Sequence, residues 1–90
     1  MIQTKIRDYL TKNILFVDSG FEYSDDDSFL EQGIIDSVGV MELVLFVEDS
    51  FNLVVDDHEV TPENFDSVNK LAYFIQGKQN RDAQPSLADQ

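Results

Sequence analysis

Apolar residues return at helical spacing near both ends of this chain and in its middle, with polar, Gly- and Asp-rich stretches between them. Ile2, Ile6, Tyr9, Leu10 and Ile14 recur every three to five positions, which predicts an amphipathic helix over the first fifteen or so residues. The stretch "VDSGFEYSDDDSFLEQG" then breaks the period and reads as a long loop. A loop of that length is unusual in a compact domain unless function or local packing holds it. Phe21, Tyr23, Phe29 and Leu30 are expected to pin it to the core. A helix follows to about Phe51, with Asp36 or Ser37 as its cap. "NLVVDDHEV" is a connection with a few apolar anchors, and "TPENF" is a short helical turn with Pro62 at its start. "DSVNKLAYFIQG" is a last helix, capped by Asp66 or Ser67 and stopped by Gly77, with Val68, Leu71, Ala72 and Ile75 inward. No strand pattern and no internal repeat stands out, so the expected fold is all-α, a small helical bundle. Residues 1–77 form its single domain, and 78–90, which lack an apolar period, form a tail expected to be mobile.

The helix after Asp36 carries two apolar sides. At about 100° per residue, Val40, Leu43, Val44, Val47 and Phe51 fall on one broad face, assigned to the core, with Phe46 flanking it. Nearly opposite lie Val38, Met41 and Leu45, interleaved with Glu42, Glu48 and Asp49. Such a stripe either meets a partner or packs beneath the long loop, and sequence leaves both open.

Charge and length narrow the function. Ninety residues make one small domain that buries about 60% of its unfolded surface, a modest core. The net charge is −12, and all six basic residues lie outside the interval 13–69, which holds fifteen of the eighteen carboxylates. That field repels nucleic acid and anionic membrane, and it draws basic protein surfaces over a Debye length of about 8 Å. The longest apolar run, Leu43 to Val47, is too short to span a bilayer, and the start of the chain lacks a signal-type apolar segment, so a cytoplasmic location and no membrane insertion are expected. With no cysteine there is neither a disulfide framework nor a thiol of the chain's own.

Ser37 stands at a helix start, where a hydroxyl commonly caps. The same place suits an attached phosphate, because free backbone N–H groups and the positive end of the helix dipole face the anion. A hydrolase nucleophile is disfavoured: there is no G-x-S-x-G elbow, and the single histidine, His58, lies in an acidic connection. One histidine also argues against a His-based metal site. The acidic run from Asp25 fails as a calcium loop, since Phe29 and Leu30 occupy the fifth and sixth positions and Asp36 the twelfth. A loose divalent-ion site on those carboxylates stays open.

"FLEQGIIDSVGVMELVLFVEDSF" followed by "TPENFDSVNKLAYFI" resembles the phosphopantetheine-dependent carrier proteins, that is, acyl carrier proteins and their aminoacyl and peptidyl relatives. The likeness rests on Gly-x-x-Asp-Ser leading into a helix, the "MELV" and "FVEDSF" register along it, and the "ENF" turn before the last helix. It implies a four-helix bundle of acyl carrier type, with a long first loop and a short third helix. It also implies that a phosphopantetheinyl transferase moves 4'-phosphopantetheine from coenzyme A onto Ser37, flanked by Asp36, so that the arm supplies the thiol the chain lacks. Such a protein is a carrier and not an enzyme. Val38, Met41 and Leu45 would then meet partner enzymes, and Glu42, Glu48 and Asp49 their basic patches, in contacts weak enough to release. The partners implied are the transferase, a ligase that loads the acyl or aminoacyl group, and enzymes that process it; the chain is expected to act as a monomer. Val38 and Gly39 replace residues more usual in fatty-acid carriers. The two residues between Gly33 and Asp36, where those carriers typically have one, look like D-alanyl carriers. A specialised acyl carrier in lipid or secondary metabolism is the first expectation and an aminoacyl carrier, D-alanyl-like or peptidyl, the second. An unmodified acidic interaction module is the alternative of another class.

Overall fold

The computed structural model describes residues 1–82, in which four α-helices surround one apolar core. Helix α1 (Ile2–Tyr9) passes into a π-helical turn (Leu10–Ile14). Helix α2 (Gly39–Phe51) follows the long loop, a 3-10 turn (Asp57–Glu59) and the short α3 (Pro62–Phe65) come next, and α4 (Val68–Asp82) closes the chain. The expected all-α bundle with a long first loop and a short third helix is the fold observed.

Side chains explain the local geometry of the first helix. The Thr11 hydroxyl donates to the Asp8 carbonyl and Asn13 Nδ2 to the Tyr9 carbonyl, competing with the regular ladder. The chain loosens there, and the Leu15 N–H reaches back five residues to the Leu10 carbonyl at 2.8 Å. Ile6 and Leu10 are fully buried. Tyr9 stacks on Phe46 of α2 with ring centroids 4.1 Å apart, and Phe46 meets Phe51 edge-on at 5.9 Å.

Helix α4 is the spine of the core, packed against α1 and α3. Val68, Leu71, Ala72 and Ile75 are buried as their spacing predicts, joined by Phe74, whose ring lies 5.3 Å from that of Phe65. Removing a side chain such as Leu71 would cost about 2–5 kcal/mol. Gly77 does not stop this helix, which continues to Asp82. Lys78, one position beyond the glycine, reaches the Glu59 carboxylate at 3.0 Å with both side chains largely buried, and this pair holds the later turns in place. The ion pair offsets the cost of about 1 kcal/mol that an interior glycine carries. From residue 83 the expected tail lies outside the described residues.

The long loop is fastened along its middle. Arg7 of α1 binds Asp25 at 2.6 Å, the Asn69 N–H donates to the Asp25 carbonyl, and Asn69 Nδ2 donates to Asp26 Oδ1 at 2.7 Å. Asp27 accepts from the Ser24 N–H. Asp25 and Asp26 thus tie the loop to α1 and α4, and Asp27 closes a turn within it. Phe29 is buried at 2% exposure, and Phe21 and Tyr23 pack half-buried against the core. Leu30, expected to pin the loop, instead stands 48% exposed, because the turn after Phe29 points it outward.

Candidate functional site at the start of helix α2

The position of Ser37 is built from a residue distant in sequence that borders the same cavity. Asp66, just before α4, accepts the Ser28 hydroxyl on Oδ2 and the Leu30 N–H on Oδ1, while its carbonyl accepts the Phe29 N–H at 2.8 Å. The Phe29 carbonyl in turn receives the N–H groups of Ile34 at 2.9 Å and Ile35 at 3.3 Å. Gly33 turns the chain with φ 70°, a value that suits glycine. Ile34 and Ile35 are then driven inward, 5% and 4% exposed. Two buried isoleucines fix the backbone, and the next three residues, Asp36, Ser37 and Val38, are left facing solvent.

Of the two candidate caps, Asp36 takes the task. Its Oδ1 accepts the Gly39 N–H at 2.7 Å and its carbonyl accepts the Val40 N–H at 3.1 Å. Gly39 makes room for this: a Cβ there would lie 3.0 Å from Ile35 Cγ2 and 3.4 Å from Asp36 Oδ1. The glycine is therefore a close-approach position rather than merely a weak point in the first turn. With Asp36 capping, the Ser37 hydroxyl makes no hydrogen bond to the described residues and stays available.

Two hollows flank Ser37. On one side lies a cavity of about 210 Å³ lined by Phe29, Leu30, Ile35, Val40, Val60, Thr61, Pro62, Phe65 and Asp66, almost wholly apolar. On the other side an open groove runs past Asn13, Ile14, Phe16, Ile34, Asp36 and Glu42. Phe16 was not singled out from sequence. It lies just past the first helix with φ 55° and is 79% exposed, and only the unusual run of apolar residues "ILFV" at a helix end hints at it.

The acidic and apolar residues of α2 separate into two groups. Val38, Met41 and Leu45 are 76%, 58% and 61% exposed, and Glu42 and Asp49 are exposed beside them. They do not pack under the loop. Glu48 stands apart: it is half-buried and its Oε2 accepts the Val55 N–H at 2.9 Å, closing the turn after α2. Glu42 also acts on the layer below. Burial first, and the Glu42 charge second, raise the Tyr9 phenol above its ordinary value of 10.0.

Asp56, His58 and Glu59 offer ligand atoms within 4.8 Å of one another. Their arrangement is that of a capping box on the 3-10 turn, with Glu59 Oε1 accepting the Asp56 N–H and binding Lys78.

A helical bundle that presents an uncommitted serine at the start of its second helix, beside an acidic and apolar face, has the layout of a carrier. No family model matches the chain. It is 30% identical over 79 residues to a D-alanyl carrier protein of Streptococcus uberis, a match covering 88% of this chain and 96% of that one. Over 57 residues it is 35% identical to a D-alanyl carrier protein of Streptococcus suis, covering 63% of this chain and 71% of the relative. A third, from Streptococcus equi subsp. zooepidemicus, is 32% identical over 66 residues, 73% of this chain and 82% of that one. The chain belongs to the phosphopantetheine-dependent carrier protein family. Members of this family carry cargo on covalent 4'-phosphopantetheine and are not themselves enzymes; ligases and transferases act on them. Among the described residues no helix is long and apolar enough to cross a membrane.

Proposed function

We propose that Ser37 is the attachment point of the phosphopantetheine arm, and that the chain carries an aminoacyl group of the D-alanyl kind as a thioester. The observation that supports the attachment most directly is the division of labour at α2: Asp36 caps the helix, and the exposed Ser37 hydroxyl has no structural task. The residues suit the group. A phosphodiester on Ser37 Oγ would leave the Asp36 cap intact and stand near the positive end of the α2 dipole. When bound, the arm supplies a thiol to a chain without cysteine.

The cargo follows from kinship rather than geometry. The relatives reported above bear the name D-alanyl carrier, which supports the aminoacyl expectation over the acyl one placed first from sequence, and nothing comparable supports a lipid or secondary-metabolite pathway. The observation that favours an acyl cargo is the apolar cavity beside Ser37. Val38, Met41, Glu42, Leu45 and Asp49 form the face that partner enzymes meet, with Glu48 contributing charge from its margin. A Leu45→Glu change would then weaken ligase recognition while leaving helix content intact, since Leu45 is 61% exposed.

The test is loading. The arm-bearing protein is incubated with ATP and D-alanine plus a D-alanine-activating ligase, and separately with a medium-chain fatty acid and an acyl-activating ligase. One alanyl group, released by hydroxylamine, is the expected mass gain. Loading by the fatty acid alone would overturn the aminoacyl assignment.

A further inference from the structure

We infer that Phe16 is an aromatic anchor for the phosphopantetheinyl transferase, which docks over the groove beside Ser37; this rests on Ser37 being the attachment point. The fold itself does not account for a phenylalanine here. Phe16 holds φ 55°, a left-handed conformation in which glycine and asparagine are at ease and a bulky side chain is strained. At the end of α2 the same φ of 55° is taken by Asn52, a residue at ease there. Nor does packing compensate, because Phe16 is 79% exposed. A strained and unburied aromatic points to a contact made with something else.

Its position says what. Phe16 and Ser37 line one groove, with Ile34 and Ile35 beneath and Asp36 and Glu42 at the side. The two charged residues that line this groove, Asp36 and Glu42, are both acidic, and no Lys or Arg occurs between residues 13 and 69. The complementary surface is that of a protein with an apolar pocket bordered by Arg or Lys. The transferase has to bring its active site to Ser37 Oγ itself, so its own surface must cover the residues that border Ser37. In that step the Ser37 Oγ–phosphorus bond forms and a pyrophosphate P–O bond of coenzyme A breaks. The 3',5'-bisphosphoadenosine leaves with the electron pair, and the hydroxyl proton passes to a base on the transferase.

The experiment measures transfer kinetics with coenzyme A and a broad-specificity phosphopantetheinyl transferase, on the full chain, for wild type, Phe16→Asn and Phe16→Tyr. Asparagine satisfies the backbone and removes the ring, so Phe16→Asn should melt at or above the wild-type temperature. Its kcat/KM should fall at least about tenfold, mainly through KM, the loss of one aromatic anchor. Phe16→Tyr should restore the rate to within about twofold of wild type. An unchanged kcat/KM for Phe16→Asn, on wild type that does gain the arm, would overturn the inference. A loss of fold in Phe16→Asn would overturn it too, by giving the ring a structural task. Folded wild type that gains no arm would instead sink the assignment of Ser37 itself.

Discussion

The tripeptide Asp-Ser-Val occurs twice, at residues 36–38 and 66–68, and both times it leads into a helix from a buried apolar residue, Ile35 or Phe65. The two copies exchange roles. In the first, Asp36 caps through the Gly39 N–H and Ser37 is exposed and uncommitted. In the second, Ser67 is 2% exposed and caps through the Lys70 N–H at 3.0 Å, while Asp66 ties down the Ser28 hydroxyl and the Leu30 N–H. In the first copy it is the aspartate side chain that takes the N–H three residues on, at Gly39, and in the second the serine side chain that takes the N–H three residues on, at Lys70. Over the second copy lies the loop from Ser28 to Leu30; beside the first there are only open hollows. A free serine is thus made by register and cover, not by the dipeptide that contains it.

Substitutions at the four positions break this pairing with graded effects on stability, read from denaturant midpoints. Asp66→Ala should be the largest, about 2–4 kcal/mol, because it removes a charged acceptor from two donors and frees the loop that positions Ser37. Ser67→Ala should cost about 1–2 kcal/mol, the loss of a buried cap. Asp36→Ala should cost about 0.5–1 kcal/mol, with Asn at that position keeping most of the cap. Ser37→Ala should change stability by less than about 0.5 kcal/mol, as expected for an exposed side chain without a partner. If Ser37→Ala proved as costly as Ser67→Ala, the contrast between the two copies would collapse.

A smaller effect lies where α1 meets α2. The Tyr9 phenol is held neutral by burial and by Glu42, so its folded value lies above its unfolded one. The resulting stability is present below pH 10 and is lost as pH rises through the folded value. Tyr9→Phe should remove that part of the alkaline decline, which a pH series of melting temperatures would check.

Much of this was legible in the sequence where side chains repeat with the period of a helix. The inward faces of α2 and α4 follow from spacing alone, and the Gly-x-x-Asp-Ser lead-in placed Ser37 at a helix start. What stayed hidden depends on contacts between distant segments. Asp36 and Ser37 are equally good caps until the approach of Ile35 to Gly39 fixes the turn. Gly77 looks like a stop until Lys78 finds Glu59, nineteen positions earlier. Glu48 shares a helix with Glu42 and Asp49, but the backbone of Val55 draws it away. Phe16 carries no signal in a helical wheel, because its significance lies in a backbone angle.

The most direct measurement is the intact mass of wild type, Ser37→Ala and Ser67→Ala after incubation with coenzyme A and a broad-specificity phosphopantetheinyl transferase. Wild type and Ser67→Ala should each gain one arm and Ser37→Ala none. An arm on Ser37→Ala, or none on folded wild type that carried no arm beforehand, would contradict the assignment of Ser37 as the attachment point.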